Sequence, residues 1–311
     1  MTRARLLTGI RIAFAVVVLA AVVWGVARSW PEISLDLARV DAWTLLGSTA
    51  FAALGTWLTM LGWRVLLSDL GSPLHLAPAG GVFFVGQLGK YLPGSVWAVI
   101  AQADMAAHLD VPRRRTGVVG LVTIGLAVLT GVLVGLPAIP HLLRTSGSGG
   151  GAWVLLAVPV LAALCWPPVL NRLVALGLRT LRREPLEHEL SARAVLLTVG
   201  LYVLAWLCFG AHILVLARAI ADPAAPGLTV AALTGYALAG SLGMLTVILP
   251  AGLGAREGIL TLVLASAMPL SAGTAVAIVS RFVITLVDVG AALAGWAYAR
   301  THHLLAARRA G

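Results

Sequence analysis

The sequence predicts an all-α protein, a polytopic helix bundle embedded in a membrane. Of its 311 residues, 60% are hydrophobic and only 11% are charged, whereas soluble domains carry about 25% charged residues. The mean hydropathy is +0.98, and the apolar residues are gathered in long runs. This composition excludes an ordinary water-soluble enzyme, and it also excludes a disordered chain, because so apolar a segment cannot stay solvated.

Long apolar runs predict the membrane-spanning helices, since a bilayer core needs about 20 apolar residues per helix. The first run favours an uncleaved anchor over a signal peptide, because it is long for the apolar part of a signal. Residues 31–41 are expected to form a short amphipathic helix on the outer surface of the membrane, and the inner loop 171–193 an amphipathic surface helix. The predicted spans are residues 10–27, 43–67, 116–137, 152–170, 194–217 and 273–299.

Two other apolar stretches are interrupted by Leu-Pro and glycines. Residues 79–109 contain GQLGKYLPGSVW, and residues 228–270 contain LPAGLGAREG. The first stretch is too short for two crossings and predicts a re-entrant hairpin, whereas the second allows either a hairpin or two helices. Such breaks free backbone groups that protein or cavity water must satisfy. The predicted hinge residues are Pro93, Gly94, Pro250, Gly252 and Gly254.

The distribution of arginine predicts the orientation. With the N-terminus in the cytoplasm and each broken stretch returning to its own side, the inner segments hold 14 arginines and the outer loops 4, as the positive-inside rule requires. We therefore expect a multi-pass protein of the cell (plasma) membrane with both termini cytoplasmic. Residues 1–311 form one transmembrane domain with short basic tails at 1–9 and 300–311. Topology explains most of the net charge of +10, so no nucleic-acid partner is expected.

One broken stretch thus opens from each face of the membrane, in corresponding places of the two halves. This arrangement is typical of inverted-repeat transporters, whose binding site lies near the midplane. Few charges remain unexplained by topology. Arg64 can extend to the head groups, but Lys90 lies in the first broken segment, where a buried ammonium needs a partner or water.

Arg256 and Glu257 follow the glycines of the second break, where a helix is expected to begin. A helix N-terminus beside an arginine is suited to holding a phosphate. Arg281 and Asp288 are seven residues apart on one face of the last span. Arg281 could meet Glu257, or Asp288 could meet Arg256. The candidate substrate-binding residues are Lys90, Arg256, Glu257, Arg281 and Asp288.

Other kinds of site have little support in the sequence. His, Cys and carboxylate residues do not show metal-ligand spacing, and no nucleophile elbow or Walker loop occurs. His212, alone in an apolar run, is interpreted as a packed residue. We therefore expect no metal, no cofactor and no catalytic residue.

The run LPAGLGAREG, together with GQLGKYLPGSVW and the basic loop after it, resembles the flippase-like family that includes the transmembrane region of lysylphosphatidylglycerol synthase. The more specific element is Pro250-x-Gly252-x-Gly254-x-Arg256-Glu257, and the resemblance extends from Trp43 to Tyr298. It implies a helix bundle that moves anionic or modified lipids between leaflets.

The chain departs from this family in two places. Many members follow the first Leu-Pro-Gly with Gly-Asp and a nearby arginine, where this chain has Ser95-Val96-Trp97. The basic end at Gly311 also leaves no soluble aminoacyl-transfer domain, so the chain is not expected to synthesise aminoacylated lipid by itself.

Three functions are compatible with these observations. In the leading one, a lipid flippase or transporter, Lys90, Arg256 and Arg281 hold the phosphate of a phospholipid or polyprenyl phosphate, while the two acids balance the empty cavity. The second is an integral-membrane glycosyltransferase with a polyprenyl-phosphate donor, using acids of the first outer loop as acid/base groups or metal ligands. The third is a noncatalytic membrane subunit. The acids in question are Glu32, Asp36 and Asp41.

Overall fold

A computed structural model describes residues 27, 30–92, 96–139, 157–180, 188–246 and 252–301. Throughout this part of the chain the regular elements are helices, which confirms the all-α prediction. A 3₁₀ turn at Leu88–Tyr91 follows the third helix. The helices are α1 (Trp30–Leu37), α2 (Ala42–Asp69), α3 (Leu76–Gln87), α4 (Trp97–Ala107), α5 (Arg113–Gly135), α6 (Ala157–Leu164), α7 (Pro167–Thr180), α8 (Ala192–Ile220), α9 (Leu228–Leu245), α10 (Ala255–Leu264) and α11 (Leu270–Thr301).

Five of these helices are long and apolar enough to cross a membrane: α2, α5, α8, α9 and α11. Four of the five coincide with predicted spans, because the apolar runs at 43–67, 116–137, 194–217 and 273–299 lie almost wholly within α2, α5, α8 and α11. The first predicted span, 10–27, lies outside the described residues except for its last residue. Helix α1 occupies most of the segment 31–41, where a short helix was expected.

The span predicted at 152–170 is not one straight helix. Helices α6 and α7 are bent by 65° at Cys165–Trp166, directly before Pro167 and Pro168. Proline lacks an N–H donor and disfavours helical geometry in the residue before it, so the chain breaks here and a new helix starts at Pro167. Helix α7 then ends at Thr180 and covers only the first part of the amphipathic helix expected at 171–193. Residues 181–187 lie outside the described part of the chain, and residues 188–191 are not helical.

The first broken stretch is a pair of short helices, as predicted. Helices α3 and α4 have 12 and 11 residues, about 18 and 16 Å each, so neither crosses a bilayer. They pack closely at a glycine, because a Cβ on Gly86 of α3 would lie 3.1 Å from the backbone N of Gln102 on α4. The predicted hinge residues Pro93 and Gly94 lie outside the described part of the chain.

The sequence left open whether the second broken stretch is a hairpin or a pair of spanning helices. The structure shows one long helix followed by one short helix. Helix α9 is long enough to span a membrane, but α10 has ten residues, about 15 Å. Gly252 and Gly254 between them have φ angles of +65° and +83°, which side chains with a Cβ rarely adopt. A Cβ on Gly252 would also lie 3.0 Å from the carbonyl oxygen of Gly243 on α9. Pro250 lies outside the described residues.

A buried histidine ties three long helices together. His212 on α8 is fully buried, and its ring hydrogen-bonds to Ser48 of α2 at 2.6 Å and to Ser280 of α11 at 2.9 Å. At one end of the α2–α8 pair, the Ser191 hydroxyl donates to Asp69 at 2.7 Å, so the two helices run antiparallel. Both ring nitrogens of His212 have partners, which agrees with the interpretation of His212 as a packed residue.

Helix α11 joins the two broken stretches. It packs against α3 of the first and α10 of the second. The approach to α3 is close, because a Cβ on Gly295 would lie 3.1 Å from the Cα of Gly81. Residues at the two breaks are thereby brought to the same face of α11.

Candidate functional site

The five predicted site residues lie in one chain of contacts centred on α11. Lys90 comes from the 3₁₀ turn after α3, and Arg256 and Glu257 come from the first turn of α10. Arg281 and Asp288 are two turns apart on α11. Residues far apart in sequence therefore meet where both breaks face the same helix.

Asp288 binds the first break. Its Oδ2 atom lies 2.7 Å from Lys90 Nζ and accepts a hydrogen bond of 2.6 Å from the Tyr91 hydroxyl. The Asp288 side chain is 4% exposed and that of Lys90 is 32% exposed. A buried carboxylate needs such partners, and here both come from neighbouring residues of one turn.

Glu257 organises the second break. Its Oε1 atom lies 3.2 Å from Arg256 Nη2 and 3.1 Å from Arg281 Nη1. Its Oε2 atom accepts a 2.7 Å hydrogen bond from the backbone N–H of Gly254. Of the two pairings that the sequence allowed, Arg281 with Glu257 therefore occurs, while Asp288 pairs with Lys90 and not with Arg256 in the described part of the chain.

The Glu257 carboxylate also caps the helix that it belongs to. The first turn of a helix presents unpaired N–H groups and attracts negative charge. Because Glu257 accepts from Gly254, the position where an anion would cap α10 already holds a carboxylate. A bound anion would thus be met by the arginine side chain rather than by this amide.

Two tyrosines that the sequence analysis did not single out complete the cluster. Arg256 Nη1 donates to the Tyr236 hydroxyl at 3.3 Å, and its guanidinium lies 5.5 Å from the ring centroid of Tyr236. The guanidinium of Arg281 lies 5.9 Å from the ring of Tyr91. The adjacency of Tyr91 to Lys90 was a usable signal, but nothing in the sequence near Tyr236 pointed to the site.

The formal charge of the cluster is positive. Three cations and two carboxylates sum to +1, and all five side chains are at most one-third exposed. Since charges interact more strongly away from water, this excess attracts an anion.

A cavity of about 230 Å³ lies beside the cluster. Its charged lining residues are Lys90, Arg256 and Asp288, whereas Glu257 and Arg281 do not line it. Glu257 and Arg281 therefore lie behind the wall, where Glu257 contacts Arg256 and Arg281 contacts Glu257. The neutral polar side chains of the wall are Thr56, Thr59, Gln87, Gln102, Thr123, Tyr202, Tyr236 and Thr246.

A second, mainly apolar groove of about 510 Å³ lies between α2, α3 and α11. Thr56 lines both the groove and the charged cavity, so the two adjoin at this residue. Small residues such as Gly80, Gly81 and Gly295 make room for the groove. A charged cavity next to an apolar groove suits a molecule with a polar head and a hydrocarbon tail.

The acids considered for sugar transfer have local partners. Asp36 lies 3.4 Å from Arg39, and Asp41 accepts from the backbone N–H of Thr44 at 2.7 Å, capping α2. Hydrogen bonds from Thr44 hold the pKa of the Asp41 carboxyl below its ordinary value. The side chain of Glu32 lies outside the described residues. Within the described ranges, no three His, Cys, Asp or Glu side chains are grouped as metal ligands.

Arg64 also has a local role. Its Nε donates a 2.7 Å hydrogen bond to the carbonyl of Leu74, in the segment between α2 and α3. Arg64 therefore fastens this connection, and it is not among the residues that line the charged cavity.

Comparison with known families identifies the family of the chain. The family model described as the lysylphosphatidylglycerol synthase transmembrane region matches residues 10–292, and the chain belongs to this family. A comparison with curated proteins finds no match. The chain is therefore a multi-pass membrane protein of a lipid-related family.

Proposed function

We propose that this member of the lysylphosphatidylglycerol synthase transmembrane family is a lipid flippase or transporter, handling an anionic or phosphate-bearing lipid such as a phospholipid or a polyprenyl phosphate. One observation carries the proposal. Lys90 and Arg256, one from each broken stretch, line the same cavity inside the helix bundle, and their cluster has a net positive charge.

In the proposed complex, the lipid phosphate lies between Lys90 and Arg256. Arginine offers a planar pair of N–H donors and lysine a compact charge, and both form charge-assisted hydrogen bonds with phosphate oxygens. Glu257 and Arg281 fix the position of the Arg256 side chain from behind. Lys90 and Arg256 also contact the carboxylates of Asp288 and Glu257, which compete with the phosphate for them. The phosphate is therefore bound reversibly, and transport requires its release.

The hydrocarbon chain of the same lipid occupies the apolar groove between α2, α3 and α11. The groove adjoins the charged cavity at Thr56, so one amphipathic molecule can reach both. Burying hydrocarbon there gains about 0.8 kcal/mol for each CH₂ taken out of water, but little relative to a bilayer. The groove therefore guides the lipid, and the charged cavity selects it.

The empty cavity is balanced by its own acids. Asp288 and Glu257 hold the cations when no lipid is bound, so the site does not carry three unpaired charges in the membrane. Entry of a phosphate displaces part of these contacts. In the proposed orientation, the protein lies in the plasma membrane with both termini in the cytoplasm, as the arginine distribution predicts.

Leaflet exchange in proteoliposomes tests this proposal. The purified chain is reconstituted, and the transfer of labelled phosphatidylglycerol, phosphatidate and polyprenyl phosphate from the inner to the outer leaflet is followed. We expect exchange of at least one of these lipids above protein-free vesicles. Exchange no faster than in protein-free vesicles for all three would contradict the proposal, and metal-dependent sugar transfer by the same preparation would favour a glycosyltransferase.

A further inference from the structure

The hydroxyl group of Tyr91 contacts the ion pair at the edge of the charged cavity, although Tyr91 is not among the residues that line this cavity. We infer that Tyr91 is a positioning residue, whose hydroxyl loosens the hold of Asp288 on Lys90 and so allows the ammonium group to turn from the carboxylate to a lipid phosphate. This inference rests on the proposed function and adds to the same site a residue that sets the availability of its lysine.

Tyr91 and Lys90 share one carboxylate oxygen. The Oδ2 atom of Asp288 accepts a hydrogen bond of 2.6 Å from the Tyr91 hydroxyl and lies 2.7 Å from Lys90 Nζ. An oxygen of an ionised carboxylate has two lone-pair sites, so these two donors fill it. Because both draw on the same negative charge, each weakens the bond that the other forms. The pair of Lys90 with Asp288 is therefore held less tightly than it would be without the hydroxyl.

The same hydroxyl stabilises Asp288 when Lys90 has left it. The Asp288 side chain is 4% exposed, and a buried carboxylate without any partner is strongly disfavoured. With Tyr91 in place, the carboxylate keeps one hydrogen bond while Lys90 binds a phosphate. The hydroxyl thus weakens the pair in the empty site and supports its acid in the occupied site. Both effects favour the release of Lys90 to the lipid.

Lys90 has the freedom that this change of partner requires. Its side chain is 32% exposed, and it lines the cavity beside Asp288. The lysine side chain is a flexible four-carbon stem that carries a compact charge with three donors. A small rotation of this stem therefore moves the ammonium group from the carboxylate toward the cavity, whereas Asp288 stays in the packed face of α11.

The ring of Tyr91 has a second role, because it links this pair to the second break. The ring centroid lies 5.6 Å from Lys90 Nζ and 5.9 Å from the guanidinium of Arg281, and both distances are within the range of cation–π contacts. Arg281 in turn lies 3.1 Å from Glu257. Removal of the whole side chain should therefore disturb more of the site than removal of the hydroxyl alone.

The chemical reactivity of Lys90 measures how tightly it is held, because Lys90 is the only lysine in the sequence. The purified chain in detergent is treated with an amine-reactive ester, and modification of the peptide that contains residue 90 is followed by mass spectrometry. Tyr91→Phe should slow this modification roughly ten-fold, since the ammonium group then stays with the carboxylate. An unchanged or faster reaction would overturn the inference without bearing on lipid transport.

A second background shows whether the hydroxyl acts through Asp288. Asp288→Asn removes the charge that holds Lys90, so the ester should react faster with this variant than with the natural chain. Adding Tyr91→Phe to Asp288→Asn should then leave the reaction rate unchanged, because the hydroxyl has no ion pair to loosen. Equal slowing by Tyr91→Phe in both backgrounds would mean that the hydroxyl acts only on the shape of the turn, and it would overturn the inference.

Leaflet exchange connects this reactivity to transport. Phosphatidylglycerol, phosphatidate and polyprenyl phosphate are compared in proteoliposomes, and Tyr91→Phe should slow the lipids that the natural chain moves by roughly ten-fold. Tyr91→Leu should slow them further, because the ring contacts are also lost. Thr180→Val is the control, since Thr180 is exposed and its hydroxyl bonds within its own helix. Normal exchange by Tyr91→Phe would overturn the inference and leave the proposed function in place, whereas no exchange by the natural chain would overturn both.

Discussion

Lys90 Nζ lies 2.7 Å from Oδ2 of Asp288, which joins the break of the first hairpin to the middle of the last long helix. The carboxylate is almost completely buried, and the ammonium is partly open to the cavity. Asp288 thereby holds the 3₁₀ turn in place, while Lys90 keeps a side from which a ligand can approach. Two roles, positioning and binding, are divided between the partners of one pair.

The Lys90–Asp288 pair gives the first prediction. Lys90→Met leaves a buried carboxylate with only Tyr91 and should cost about 3–5 kcal/mol, whereas Lys90→Met combined with Asp288→Leu should recover most of this loss. Leaflet exchange should stay low in the double variant, because the cation is gone. Thermal unfolding in detergent and phosphatidylglycerol exchange measure the two effects, and exchange that recovers with stability would contradict a binding role for Lys90.

The second prediction concerns the order of stability losses around Glu257. Arg256→Ala leaves Glu257 paired with Arg281 and Gly254, so it should cost about 1–2 kcal/mol. Glu257→Ala leaves two buried guanidinium groups and an uncapped amide, and it should cost about 3–5 kcal/mol. Unfolding midpoints of the two variants provide the measurement. A larger loss for Arg256→Ala would show that Glu257 is not the centre of this contact group.

Two glycines of the second hairpin form a matched pair for the third prediction. Gly254→Ala places a Cβ at a φ of +83°, which should cost about 1–3 kcal/mol. Gly258 lies inside α10 with open space where its Cβ would be, so Gly258→Ala should be neutral or stabilise the helix by up to about 1 kcal/mol. The same unfolding assay compares them, and equal effects would contradict the assigned backbone geometry.

The fourth prediction tests orientation. Asp222 and Glu189 are exposed residues beyond opposite ends of α8. In a background with Cys165 and Cys208 replaced by Ala, a cysteine at 222 should react with an impermeant thiol reagent on intact cells. A cysteine at 189 should react only after permeabilisation. The reversed pattern would invert the proposed topology, since the charge asymmetry would then oppose the positive-inside rule.

The sequence predicted the long spans and the broken stretches because each depends on local composition. A run of about 20 apolar residues is the length that a helix needs to cross a bilayer. A Leu-Pro sequence with glycines interrupts a helix at any position in the chain. The spacing of Arg281 and Asp288 likewise fixed their common face. The bend between α6 and α7 was missed because its apolar run continues through Pro167.

The pairings within the site could not be predicted, because they depend on how the two hairpins pack against α11. Lys90 meets Asp288 where the first hairpin packs against α11, with Gly81 close to Gly295, and composition does not reveal this packing. The carboxylate of Glu257 caps its own helix, although the sequence favoured an external anion there. Tyr236 enters the site from α9 without any neighbouring signal.

The most direct test of the proposed phosphate site is the rate of phosphatidylglycerol exchange by the double variant Arg256→Gln with Glu257→Gln. This variant removes one charge of each sign, and both glutamine side chains can still hydrogen-bond. Arg281 loses its carboxylate, so the variant should remain folded with a smaller fall in unfolding temperature than Glu257→Ala. Its exchange rate should fall at least roughly ten-fold, because a phosphate loses its charge-assisted donor. An unchanged rate in this stable variant would contradict a phosphate-binding role for Arg256.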